Sequence, residues 1–352
     1  IRESYDLIDK MSEGHQEIFE KVCRDLLDSE SSENQPHFSL SPHVIFEIAT
    51  YSDQDLPLYL VHRYRYEVYP QLKIIDHYPP YLQIEPASIC NFRCVFCFET
   101  DPTFTDKANG YMGQMTLDMF KHIIDQAVGN VEFLSLASRG EPMICKDIVP
   151  MLEYTHGKFL NLKLNTNASL LDEEKCHAIL AGGVKTLVFS ADAAEEPLYS
   201  NFRVNGKLSA IFENIKLFQK IRKTQYPDLS IITRVSGVKY SEQQDMDSMQ
   251  KFWGDLVDQV AFVEYNPWEN VYSQPNNGIE KPCSDLWRRM FVWWDGKANP
   301  CDVDYKSTLS VGSIEHHRLD QLWQSASYND IRKGHINKKR GDGTPCAACT
   351  VV

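Results

Sequence analysis

"IEPASICNFRCVFCFETD", residues 84–101, sets Cys90, Cys94 and Cys97 within eight positions, directly after a short apolar run. Three is an odd number and the spacing is cramped, so a local disulfide framework explains it poorly. Thiols gathered this closely point to a bound metal. A closed structural zinc site has four protein ligands, and no His or Cys follows nearby to complete one. An iron–sulfur cluster held by three thiolates leaves one iron free to bind something else.

Outward from this loop the chain alternates between apolar strand patterns and amphipathic helix patterns. Strands are expected at 81–85, 131–137, 159–165, 184–191, 229–235 and 259–265. Five helical patterns lie between them, the first with Thr116 as its N-cap. This order implies a parallel sheet with right-handed crossovers. Six strands are too few to close an eight-stranded barrel, so the expected fold is α/β, a partial (β/α)6 barrel. A mainly helical extension (1–80) precedes it, and a small C-terminal cluster-binding domain with a β-hairpin (276–352) follows the barrel (81–275). Chemistry in such a barrel sits at the C-terminal strand ends. Polar residues gather there: Glu85, Ser138 to Glu141, Asn165 to Asn167, Ser190 with Asp192, Arg234, and Glu264 to Asn266.

Composition narrows the classes further. The 352 residues are 43% hydrophobic, enough for a sizeable core, and the net charge of −13 excludes a broad phosphate-backbone partner such as nucleic acid. The longest apolar runs, such as 260–263, are far too short to span a bilayer. No signal-peptide core opens the sequence, so a reducing cytoplasm is expected. Of ten cysteines, seven fall into two groups, 90/94/97 and 283/301/346/349. Cys23 and Cys176 lie on helical patterns and read as buried small hydrophobes. The stretch 28–36 reads as a linker, and the Tyr/Arg-rich segment 58–73 as a surface segment packing its rings on the barrel, with a pocket lining as the alternative.

Cys90-x-x-x-Cys94-x-x-Cys97 after the first barrel strand resembles the radical S-adenosylmethionine enzyme superfamily. The resemblance implies a [4Fe–4S] cluster on these cysteines, with Phe96 packing near the adenine. "SRGEP", residues 138–142, looks like the superfamily's GE motif, so Gly140, Glu141 and Pro142 are expected around the methionyl amino group. Ser190 and Arg203 match the region that binds the S-adenosylmethionine carboxylate, and an Arg fork suits a carboxylate. Asn165 and Asn167 are candidates for the ribose or the substrate, with turn or capping roles as the alternative.

Cys283, Cys301 and the Cys346-x-x-Cys349 pair form the second group, and Asp295-Gly296 marks a hairpin turn before Cys301. This spacing also fits tetrahedral zinc. It nevertheless resembles the SPASM and twitch extensions of radical enzymes, which hold auxiliary iron–sulfur clusters. Four cysteines suit the twitch form, with one auxiliary [4Fe–4S] cluster.

The resemblance implies hydrogen-atom abstraction from an unactivated C–H bond through a 5′-deoxyadenosyl radical. By analogy with an aminocyclitol dehydrogenase, oxidation of a sugar, nucleotide sugar or cyclitol is the leading expectation. A flavodoxin- or ferredoxin-type donor would supply the electrons. Arg234, Glu264, Tyr265 and Asp192 are the candidate substrate and proton-handling groups, and Trp268 a stacking face. Peptide maturation is the second reading. A sugar epimerase is the third, and it would need a hydrogen donor such as Cys145, which otherwise reads as a core residue. The non-enzyme alternative, a zinc-stapled binding protein, does not explain a three-ligand site beside a GE motif.

Anaerobic reconstitution is expected to load about eight iron atoms per chain. Replacing Cys90, Cys94 and Cys97 by Ala should leave about half of that. Stoichiometric zinc and no charge-transfer colour would contradict the assignment.

Overall fold

The computed structural model describes residues 11–27, 36–137, 139–268, 271–340 and 344–352. Most of the expected linker, and Ser138 of the GE motif, lie outside them. All six expected barrel strands form: β1 (Tyr81–Ile84), β2 (Phe133–Leu136), β3 (Asn161–Thr166), β4 (Val184–Ser190), β5 (Ile232–Lys239) and β6 (Gln259–Glu264). They pair in parallel in that order.

Alternation along each strand divides its side chains. Leu82, Ile84, Leu134, Leu136, Leu162 and Leu164 enter the main core. They meet there the apolar stripes of α4 (Leu117–Ala127), α5 (Ile148–Thr155), α6 (Glu173–Ala181), α7 (Leu208–Gln225) and α8 (Met246–Gly254). On α4 the stripe is Phe120, Ile123, Ile124 and Ala127, the spacing of one helical face. Thr116 caps this helix as expected, its hydroxyl accepting the Met119 N–H at 3.3 Å.

Two features depart from expectation. First, β5 starts three residues late and runs to Lys239, because Leu229 closes a turn on the Tyr226 carbonyl at 3.1 Å. Ser236 then continues the ladder, accepting the Ala191 N–H at 3.0 Å. Arg234 therefore sits inside the strand instead of at its end. Second, the C-terminal hairpin is no separate sheet. Its strand β7 (Arg289–Val292) pairs in parallel with β1, so the sheet crosses the division expected near residue 276. Strands β8 (Lys297–Asn299) and β9 (Gly312–Ser313) follow antiparallel, giving a nine-stranded order β9-β8-β7-β1-β2-β3-β4-β5-β6. The β7–β8 turn is at Asp295-Gly296, and Gly296 takes the φ of +79° that a glycine tolerates without strain.

The N-terminal residues build a helical layer under the barrel from α1 (Glu13–Leu27), α2 (Pro42–Ile48) and α3 (Leu56–Glu67). Ile18, Phe19 and Val22 of α1 share a core with Tyr59, Leu60 and Val61 of α3 and with Phe133, the first residue of β2. The His62 ring stacks on Phe133 at 3.5 Å, so the Tyr/Arg-rich segment packs its rings on the barrel as expected. Among the described residues, no helix is long and apolar enough to cross a membrane.

Charge ties this layer to the sheet. The buried Glu132 accepts from Arg65 at 2.7 Å and lies 3.3 Å from His15. Burial raises the pKa of Glu132, but Arg65 and the His15 and His62 imidazoles outweigh it and hold the carboxyl well below its usual range. Glu132→Gln should lower stability by about 2–3 kcal/mol near neutral pH, since Arg65 would keep Asp76 as its one described ion-pair partner, beside the Tyr78 carbonyl. With the folded pKa depressed, that contribution is full above the ordinary carboxyl value and disappears as pH falls through the folded one. Denaturant unfolding of both proteins should show a smaller gap at about pH 3 than near neutrality. An equal gap at both would contradict the assignment.

Candidate active site

The strand ends and the cysteine loop enclose a cavity of about 300 Å³ lined by all three thiols of Cys90, Cys94 and Cys97. Backbone pairing fixes the loop. The two-residue strand Arg93–Cys94 runs antiparallel to Arg203–Val204, placing Cys94 opposite Arg203. The Val95 N–H donates to the Phe202 carbonyl at 3.0 Å, and the Cys97 N–H to the Cys94 carbonyl at 3.0 Å. Burial pushes the Cys90 thiol up to about 12 and Cys97 well above its ordinary value. Burial also raises Cys94, although Arg203 offsets part of the effect. Thiols in such surroundings become thiolates when a cationic metal takes them as ligands.

The GE motif covers this loop closely. A Cβ at Gly140 would stand 2.5 Å from the carbonyl oxygens of Ala87 and Ile89, so only glycine fits. Both oxygens of the buried Glu141 are engaged. Oε1 accepts the Thr166 hydroxyl at 2.6 Å and the Met143 N–H at 3.0 Å, and Oε2 accepts the Asn167 N–H at 2.6 Å. The carboxylate thus braces the β3 end against the motif. Gly140 and Glu141 line the cavity, whereas Pro142 opens a short 3-10 turn behind it. Arg139 grips Glu85 through Nε at 2.7 Å and Nη2 at 2.5 Å.

Phe96, Asn165, Ser190 and Arg203 all line the cavity, as do Glu264, Tyr265 and Trp268. Arg203 is buried with its Nε 2.5 Å from Asp192 and Nη1 3.7 Å from Cys94 Sγ. Burial works against the Arg203 charge, but the Asp192 carboxylate outweighs it and raises the pKa. Glu264 pairs with Lys239 at 2.7 Å at the exposed rim, and the Tyr265 ring meets Tyr240 edge-on. The Asn165 side-chain oxygen, the Trp268 indole N–H and the Asn266 side-chain nitrogen are buried without a hydrogen-bond partner among the described residues. Such groups are satisfied when a ligand fills the space.

Three expected substrate groups are placed elsewhere. Asp192 is fully buried and spends its oxygens on Arg203 and, at 2.6 Å, on the Val238 N–H, so it positions Arg203. Arg234 lies below the cavity, because β5 runs beyond it, and gives its Nε–H to Gln259 at 2.7 Å. Cys145 is sealed in the core with Sγ 3.6 Å from the Met115 carbonyl and is no donor to the cavity. Sequence reasoning did not assign Thr166 or Tyr240. The first was legible in the polar run 165–167. The second was not, since its role depends on where β5 ends.

A second cavity, about 290 Å³, is lined by Cys283, Cys301, Cys346 and Cys349. Burial pushes Cys283 up to about 12 and Cys346 up to about 11. Four thiols with no nitrogen or oxygen donor among them are a donor set that suits an iron–sulfur cluster. The residues therefore fit two iron–sulfur groups, the first short of one protein ligand and the second with four. Trp268 lines both cavities.

A sequence model of the Radical SAM superfamily matches residues 84–246, and one of an iron–sulfur cluster-binding domain, SPASM, matches residues 283–350. The AdoMet-dependent heme synthase of Methanosarcina barkeri is 28% identical over 232 residues, 66% of this chain and 62% of that protein. The chain thus spans less than two thirds of that relative. Streptococcus suis SuiB bound to precursor peptide SuiA shares the fold with a TM-score of 0.58 at 17% identity, covering 89% of this chain and 77% of SuiB. BtrN in complex with AdoMet and 2-DOIA gives 0.53 at 15% identity, covering 79% of this chain and 95% of BtrN.

Glu141→Gln should weaken S-adenosylmethionine binding at least tenfold, about 1.4 kcal/mol, because an amide cannot accept from both backbone N–H groups and the Thr166 hydroxyl in this geometry. Equilibrium binding to the anaerobically reconstituted protein reads this directly. Unchanged affinity would show that the brace does not shape the site.

Proposed function

Because the chain belongs to the radical S-adenosylmethionine superfamily, with S-adenosylmethionine and iron–sulfur clusters as cofactors, we propose that it dehydrogenates a polyhydroxylated small molecule. A sugar, nucleotide sugar or cyclitol fits this reading. The cofactors supply a 5′-deoxyadenosyl radical that takes a hydrogen atom from an unactivated C–H bond. Turning an alcohol into a carbonyl removes one hydrogen atom, one proton and one electron. The chain's task is to hold the substrate against that radical, accept the proton and give the electron a way out.

The observation that carries the proposal is the wall shared by the two cavities. Trp268 lines both, so a substrate in the first lies next to the C-terminal centre. With four thiols around it, that centre has no protein position vacant for substrate, which suits an electron acceptor. Cys97, Cys301 and Cys349 all belong to one packed cluster with Phe98 and Tyr305, whose rings stack at 4.8 Å. Protein packing is thus continuous between the two sites.

For the proton, Glu264 is the carboxylate at the rim, with solvent access to pass it on. Epimerisation is disfavoured because Cys145 does not reach the cavity. A flavodoxin- or ferredoxin-type protein is the proposed source of reducing electrons.

Reduced, reconstituted protein should convert at least one member of a panel of sugars, nucleotide sugars and cyclitols to a product two mass units lighter, with one 5′-deoxyadenosine released for each turnover. Glu264→Gln should lower the ratio of product to 5′-deoxyadenosine at least tenfold, about 1.4 kcal/mol of transition-state stabilisation. Turnover of peptides alone would overturn the proposal in favour of peptide maturation.

A further inference from the structure

The concave face of the sheet is not filled as a closed barrel is. A barrel interior is normally packed with layers of branched apolar side chains. Here, below the cofactor cavity, the inward positions include Gln83, Ser135, Lys163, Arg234, Gln259 and Arg289, beside the apolar Phe291 and Val188. Lys163 alternates with Leu162 and Leu164, which enter the outer core, and shares its face with Asn165 in the cavity above. Arg234 alternates in the same way with Val235 of the outer core, on the face of Val238. Lys163, Arg234 and Arg289 thus share the concave face, near enough for Arg289 and Arg234 to act on the Lys163 charge.

Their charges are not equally answered. Arg289 lies 3.6 Å from Asp285 and donates to Gln83 at 2.7 Å. Among the described residues the Arg234 guanidinium donates only to the neutral Gln259 oxygen. The Lys163 ammonium has no hydrogen bond or ion pair among the described residues, although Lys163 keeps some accessible surface inside the sheet. The carboxylate whose charge reaches both is Glu47 of the helical layer below, which accepts the Tyr59 hydroxyl at 2.7 Å. One carboxylate faces two cations. Burial pushes Lys163 down to about 8, and Arg289 and Arg234 add to the effect. Burial likewise lowers Arg234. Unpaired buried cations are costly, and an anion between them removes the cost.

We propose that Lys163 and Arg234 form the seat for an oxyanion, a carboxylate or phosphate, carried by the substrate. The assignment rests on the first cavity being the reaction site and narrows the substrate to anionic compounds such as sugar acids, sugar phosphates or nucleotide sugars. Lys163 and Asn165 are two residues apart on one strand face, so the seat lies about 7 Å below the cofactor cavity. That separation lets one sugar-sized molecule span both. β6 is a sheet edge, so among the described residues no further strand closes the concave face on that side.

The test is calorimetric titration of inorganic phosphate, and separately of malonate, into the anaerobically reconstituted full chain without reductant. The wild type should bind at least one, and the preferred probe says whether the group is a phosphate or a carboxylate. Lys163→Met and Arg234→Gln should each weaken that binding at least tenfold, while the charge-preserving Lys163→Arg should stay within about threefold. Failure of the wild type to bind either probe, or equal binding by the variants, would overturn the proposal. Thermal unfolding of each variant checks folding, and if one of the two charge-removing variants misfolds the titration of the other decides. No turnover is needed, so failure here is distinguishable from failure of the dehydrogenase reading.

Discussion

The buried pair of Glu85 and Arg139 holds the two halves of this molecule in one frame. Glu85 leaves the end of β1 fully buried, and Arg139 leaves the end of β2 nearly so. Burying both charges is expensive, and it is offset here by a two-nitrogen grip and by the Arg139 backbone N–H at 3.1 Å. The remaining contacts reach across the chain. Arg139 Nη1 donates to the Tyr305 carbonyl at 2.8 Å, and the Trp294 N–H donates to Glu85 at 3.3 Å. The guanidinium also lies over the Trp293 ring at 4.3 Å. One ion pair therefore connects the GE motif, the first strand and the segment around the second thiol group. Gly140, next to Arg139, can then rest on the backbone of the cysteine loop.

Much of this was legible in the sequence because it is written in local periodicity. Six strands and five helices follow from the alternation of apolar residues with periods of two and 3.6. The cysteine spacings and the GE motif carried the cofactor chemistry, since ligand number and type are read directly from residue identity. Long-range pairing was not legible. Nothing in residues 289–292 says that they pair with β1 instead of forming an isolated hairpin. The partner of Asp192 was equally hidden: a strand-end carboxylate looks ready for substrate until Arg203 is found 2.5 Å away. Arg234 was misplaced for a simple reason. Ser236 and Gly237 look like a strand terminus, yet on an open concave face small and polar residues continue a strand without penalty.

The same openness sets a conflict between stability and use. A closed barrel gains from filling its interior, whereas this one keeps polar and cationic side chains there and closes its floor with the helical layer. Phe133 and Glu132 show how that floor is secured, by ring stacking and by a buried ion pair. The layer's role in the fold is therefore clear from its contacts: it seals the N-terminal strand ends that a partial barrel leaves uncovered.

At the centre of this account is the proposed division of labour between the two thiol groups, one open to S-adenosylmethionine and one closed by four cysteines. Electron paramagnetic resonance of the reduced, reconstituted full chain tests it most directly. Two signals are predicted, one absent from Cys94→Ala and the other from Cys283→Ala. Adding S-adenosylmethionine should change the line shape of the first and leave the second as it was. A change in the Cys283-dependent signal, or in neither, would contradict the account.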